Sequence, residues 1–251
     1  LSYFIYANDI NFSYRISKLE NINKLKFDLL LKNTFTKFSN VEIFIHNSAI
    51  TNPSKFKSNS LLNANIKLTK KALILAKKMQ TKKFFYISST SVYRNYKKLN
   101  YNEKSKTSAR DPYSKSKLIS ENICREFCTK NKIKLTILRL GNVYCGYEKS
   151  KWSRVNVSLI QNWLNSYANN KLLKTNSFNS MRDWTYLKDI PNVIHSLIKN
   201  NNNFKILNLV SPYISSDIDI MKKITKHKNL LKTYNKEAIY NASYSIYKNK
   251  I

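Results

Sequence analysis

The chain has 251 residues, of which 42% are hydrophobic and 13% aromatic, enough for a packed core in one large domain or two modest ones. Lys and Arg total 45 against 14 Asp and Glu, a formal charge of +31, and only 2 residues are Gly. Collagen-like, disulfide-scaffold and coiled-coil classes are excluded by this composition, and there is no run of apolar residues long enough to cross a bilayer.

Short runs of β-branched and aromatic residues alternate with segments of helical period. YFIYA near Tyr3 reads as a strand, and KLKFDLL around Phe27 ends another. VEIFIHNSA, from Val41, is a buried strand, followed by a helix from Asn63 to Met79 with Ile66, Ala72, Leu73, Leu75 and Ala76 on one face. KKFFYISS ends a strand at Ser89. A helix runs from Pro112 to Lys130, with proline suited to its first turn. KLTILRL closes a further strand at Leu140. This β-α-β-α order predicts an α/β fold, a doubly wound parallel sheet with helices on both faces. Beyond Gly141 the pattern loosens. Helices are expected at 156–168, 190–199 and 216–225, with FKILNLV as a strand, and this part reads as a smaller lobe added to the sheet.

Cys124, Cys128 and Cys145 are few and odd in number, and His46, His195 and His227 are scattered, so no metal site is expected. The cysteines read as reduced packing residues of a cytoplasmic protein. The start, LSYFIYAND, has neither a basic region nor a small-residue cleavage site and does not read as a signal peptide. A charge of +31 raises nucleic acid as a partner. The basic residues are spread over nearly every segment, however, and the general richness in Lys, Asn and Ile is what AT-rich coding produces. Nucleic acid therefore ranks below small anions such as nucleotides, and no membrane association is expected.

The chemistry concentrates in YISSTSVYRN and DPYSKSKLISEN. Ser88 and Ser89 end a predicted central strand, the edge of a parallel sheet where ligands bind. Tyr113 and Lys117 lie four apart on a predicted helix and so face the same way. A phenol with a reference pKa of about 10 is a poor base at neutral pH. A lysine ammonium ~4 Å away, at an effective dielectric of ~20, is worth about 4 kcal/mol and would favour the phenolate. Tyr14/Lys18, Tyr93/Lys97 and Tyr147/Lys151 share the spacing, but only Tyr113/Lys117 has both the strand end upstream and the helix beneath it.

With these residues in order, the chain resembles the NAD-dependent epimerase/dehydratase family of extended short-chain dehydrogenases/reductases, which act on nucleotide sugars. The similarity runs from about Lys24 to Ile224. It implies a Rossmann-like, incomplete NAD(P)-binding domain over 1–145 and a mostly substrate-binding lobe over 146–251, with some segments returning to the sheet. In FDLL it implies Asp28 against the adenine, and in IHNSA it implies Asn47, Ser48 and Ala49 along the cofactor. In NIKLT it implies Asn65, with Thr69, supporting the cofactor site. SSTSVY matches the strand end with Ser89 at the catalytic position, where it would align the substrate oxygen. Tyr113 and Lys117 match the catalytic pair, Tyr113 as base and Lys117 also holding the nicotinamide ribose. RLGNVYCG implies Asn142 facing the sugar nucleotide, and RDWTYLKD implies Arg182 on its diphosphate, where a planar guanidinium gives bidentate bonds. On the residues alone, Arg182 also suits an ion pair with Asp183 or Asp189, Asn142 suits a turn, and His46 reads as a satisfied strand-end histidine rather than a catalyst.

The resemblance thus implies an epimerase or dehydratase using NAD or NADP, and a homodimer through the helices near 63–79 and 112–130. The family's first β-α unit, with its Gly-x-x-Gly-x-x-Gly turn, is expected to be missing through truncation or loss. Asn8 or Asp9 would then lie near the cofactor ribose. Arg94 stands where the family has Gly after Val-Tyr, and Ser48 where it has Ala. Two alternatives follow: a catalytically inactive binding protein of the same fold, and an RNA-associated member using its basic surface.

Overall fold

A computed structural model describes residues 5–9, 22–26, 40–51, 58–93, 100–150, 154–201, 203–234 and 240–241. Asp28 and Arg94 lie outside them. The strands in chain order are β1 (Ile5–Asp9), β2 (Ile22–Lys26), β3 (Ile43–His46), β4 (Lys83–Ser89), β5 (Lys134–Leu140), β6 (Asn142–Tyr144), β7 (Leu173–Thr175), β8 (Met181–Tyr186), β9 (Ile206–Leu209), β10 (Ile214–Ser216), β11 (Leu231–Thr233) and β12 (Tyr240–Asn241). The helices are α1 (Ser58–Lys78), α2 (Pro112–Lys130), α3 (Leu159–Ala168), α4 (Asp189–Lys199) and α5 (Asp217–Ile224).

The organising sheet is parallel, in the order β3-β4-β5-β9. Side chains alternate across a strand, and β4 uses both faces. Phe84 and Tyr86 join Leu68, Leu73, Cys124 and Ile137 under α1 and α2. Phe85 and Ile87 join Leu138, Leu207, Ile190 and Leu197 under α4. Burial on both sides is why this strand reads as an unbroken apolar run. Among the described residues β1 and β2 pair in parallel with each other as a two-stranded sheet.

The later segment builds a second core from Ile160, Trp163, Leu173, Trp184 and Met221. Its spine is β8, paired in parallel with β6 and β12 and antiparallel with β10. β9 returns to the main sheet beside β5, with Leu138 opposite Leu207. Helix starts follow from local chemistry. The Asp111 carboxylate accepts from Ser114 N at 3.0 Å, with Pro112 in the first turn of α2. Ser158 and Ser216 cap α3 and α5 in the same way. Among the described residues asparagine takes the left-handed conformation at Asn40, Asn100, Asn170 and Asn201, with φ between 47° and 69°, and Gln80 and Lys132 take it as well. Cys124, Cys128 and Cys145 are buried and unbridged.

Candidate active site

The carboxyl ends of β3 and β4 open into a cleft of about 830 Å³. Asn47 and Ala49 line it from the loop after β3, Ser88 and Ser89 from β4, and Tyr113 and Lys117 from α2. The strand end, the phenol and the ammonium thus meet around one cavity. Lys117 is almost wholly buried, and its Nζ donates to the Ile87 carbonyl oxygen at 2.7 Å. It sits 5.1 Å from the centre of the Tyr86 ring and 5.8 Å from that of Tyr113. Burial lowers its pKa to about 8, against the opposing influence of Cys124 and Glu121.

Tyr113 departs from expectation. Burial pushes its phenol up to about 12, with Arg154 across the cleft acting in the opposite direction and Asp111 adding to the rise. Desolvation of the phenolate outweighs the attraction expected from Lys117, whose charge is directed at a backbone carbonyl. Burial of Tyr113 therefore works against the phenolate form.

The other expected residues are divided among several places. Asn65 is buried in α1 and clamps the loop above it. Its Oδ1 accepts from Ile50 N at 2.8 Å, and its Nδ2 donates to Ile50 O at 3.0 Å and Ser116 Oγ at 3.2 Å. It sets the path of Asn47 and Ala49 from behind. Ser48 is exposed on the same loop and is not among the residues lining the cleft. Asn142 is drawn to the Asp183 carboxylate, which accepts from its N at 3.0 Å and its Nδ2 at 2.6 Å. Gly141, just before it, lines the cleft. A Cβ there would come within 2.8 Å of Asp183 and 3.0 Å of Thr185, so the backbone can pass only without a side chain.

Arg182 lies in a second cleft, of about 770 Å³, with Trp163, Lys171, Lys174, Thr175 and Tyr234. Its partner is neither Asp183 nor Asp189 but Asp217, at 2.9 Å, and its guanidinium stands 5.7 Å from the centre of the Trp184 ring. Asp217 also accepts from Thr175 Oγ1 at 2.6 Å. His46 lies 3.3 Å from Thr69 Oγ1, and burial lowers its pKa to about 3, with Lys117 contributing.

Sequence reasoning missed a buried network behind the cleft. Glu121 accepts from Ser88 Oγ at 2.6 Å, from Arg139 Nε at 2.9 Å and from Arg139 Nη2 at 2.6 Å. Arg139 Nη1 continues to the Tyr93 hydroxyl at 2.6 Å, which donates to Asn208 Oδ1 at 2.9 Å. The available signal was spacing: Tyr113, Lys117 and Glu121 recur every fourth residue on α2, so one stripe carries phenol, ammonium and carboxylate. Glu148, Lys149 and Arg154 on the far wall of the cleft were also missed, and they carry no periodic signal.

This is the architecture of an open α/β protein with a ligand cleft at the carboxyl ends of its parallel strands. The model of the NAD dependent epimerase/dehydratase family matches residues 11–209, and the chain belongs to that family. A dTDP-D-glucose 4,6-dehydratase of Dictyostelium discoideum is 27% identical over 209 residues, covering 78% of this chain and 46% of its own length. The chain thus spans about half the length of that curated relative. Among solved structures, a UDP-glucuronic acid 4-epimerase of Bacillus cereus in complex with NAD superposes with a TM-score of 0.76 at 20% identity, covering 94% of this chain and 73% of the other. A dTDP-glucose 4,6-dehydratase of Bacillus anthracis, also in complex with NAD, gives 0.73 at 17% identity, covering 94% and 74%. At these identities the superpositions establish the fold.

Proposed function

We propose that the chain forms the catalytic part of an epimerase or dehydratase that acts on a nucleotide-linked sugar with NAD or NADP. The observation carrying this reading is the shared cleft: Ser89, Tyr113 and Lys117 all line one cavity at the carboxyl edge of the sheet. Its hydroxyls, the Asn47 amide and a buried ammonium suit the ribose and nicotinamide end of such a cofactor, for which Asn47, Ala49 and Lys117 are the candidate contacts. Bound there, the cofactor would supply hydride-accepting chemistry and a positive ring. Ser89 would hydrogen-bond the sugar hydroxyl and align it. Tyr113 would take that hydroxyl's proton, and Lys117 would hold a positive charge beside the phenol and the ribose.

The second cleft suits the other end of the substrate. Arg182 has a planar fork for a diphosphate, Lys171 and Lys174 add charge, and the half-exposed Tyr234 offers a flat surface for a base. Asp217 orients the fork meanwhile. Asn142, whose side chain is held by Asp183, lines neither cleft and would need to leave that carboxylate to face the sugar.

The test pairs turnover with binding. UDP-glucuronic acid and dTDP-glucose, the sugar nucleotides that the relatives' names contain, are assayed with NAD and NADP. Tyr113→Phe is expected to lower turnover by about a hundredfold or more while leaving nucleotide-sugar binding nearly intact by calorimetry. Unchanged turnover would remove Tyr113 from the chemistry. Binding of both ligands with no turnover by any variant would instead favour a binding protein of the same fold.

A further inference from the structure

We infer that Glu121, anchored by Arg139, is the positioning residue of the cleft. It holds the Ser88–Ser89 strand end against α2 and sets a negative charge one helix turn behind Lys117. The inference rests on the proposed roles of Ser89 and Lys117 and adds the element that keeps them together.

The geometry is specific. α2 grips the last residues of β4 at two consecutive points, Lys117 Nζ on the Ile87 carbonyl at 2.7 Å and Glu121 on Ser88 Oγ at 2.6 Å. Ser89, the next residue, then has its backbone fixed from the helix side. Glu121 is fully buried and Arg139 almost so, both carboxylate oxygens are engaged by the Arg139 guanidinium, and the partly exposed Arg125 donates to one of them at 3.0 Å. Such a pair contributes little to stability compared with apolar residues of equal size, because both charges are desolvated. Placing it under a reactive strand end instead fixes direction, since a bidentate fork admits one orientation. Arg139 extends the brace to Tyr93 and Asn208, so β4, β5, β9, α2 and the turn after β4 converge on one carboxylate.

The same carboxylate bears on Lys117. The titratable groups around that ammonium are Tyr113, Glu121 and Cys124 on its own helix, Tyr86 on β4 and His46 on β3. Glu121 is among those that favour the charged lysine, opposing burial.

Glu121→Gln alone leaves Arg139 buried and uncompensated and is liable to unfold, so the decisive variant is Glu121→Gln combined with Arg139→Met, which removes both charges together. Three quantities are measured in the full chain: kcat and KM for the nucleotide sugar that the wild type turns over, thermal unfolding, and the titration of the Lys117 amine by NMR. A folded double variant should lose at least tenfold in kcat with KM within twofold of wild type, and Lys117 should titrate at lower pH than in the wild type. Glu121→Asp should restore part of the loss. A folded double variant with wild-type kcat and an unmoved Lys117 titration would overturn the inference. If the wild type turns over no nucleotide sugar, the proposed function fails on that result, and the Lys117 titration decides the inference separately: movement upholds it and constancy overturns it.

Discussion

His46 illustrates how a single buried ring ties the site to pH. It is held neutral in the native fold, with a pKa near 3 against an ordinary 6.5. The unfolded chain therefore binds the extra proton first. Stability is fully present above about pH 6.5 and is lost as pH falls toward 3. Between pH 7 and pH 4.5 this one residue should cost about 2–3 kcal/mol. Replacing His46 by Gln, which has no proton to gain, should reduce the acid-induced fall in Tm. An identical fall in both proteins would show that the carboxylates alone set acid stability. Protonating His46 would also place a second cation near Lys117.

At the scale of elements, α2 does most of the positioning, and its start decides where its stripe points. Asp111 accepts from both the backbone N and the hydroxyl of Ser114, at 3.0 and 2.8 Å. Asp111→Ala should lower stability by about 1 kcal/mol, read as a shift in denaturant midpoint with an unchanged slope. No shift would mean that Pro112 and packing alone hold the end. This helix was legible to the residue at both ends because the cap, the proline and the apolar period agree. The strand ending at Ser89 was equally legible, since burial on two faces leaves an unbroken apolar run. β6, β7, β10 and β11 were not, because three residues carry no period. The ion pair of Arg182 with Asp217 was hidden for a different reason: the partners are 35 residues apart, and nothing local distinguishes Asp217 from Asp183 or Asp189. Spacing along one helix could bring Tyr113 and Lys117 together in advance. Contacts between helices and strands, such as Glu121 with Arg139, come only from the packed fold.

Over the whole molecule, the charge of +31 is a standing repulsion that the compact state must bear. Exposed charges interact over about 10 Å at 0.1 M salt and about 3 Å at 1 M. Tm should therefore rise as potassium chloride increases from low ionic strength to about 0.3 M. Scanning calorimetry at fixed pH checks this, and a flat profile would mean that the charges lie too far apart to repel.

The left-handed corners at Asn40, Asn100, Asn170 and Asn201 bear on how such a chain can evolve. A lineage drifting toward asparagine and lysine codons can give up most of its glycine and keep its topology, provided each tight bend accepts an amide side chain. Gly141 marks where that drift stops, because Asp183, Val210 and Thr185 leave no room for a Cβ. Gly146 persists for another reason, since a Cβ there would have room but its φ of 76° suits a residue without one.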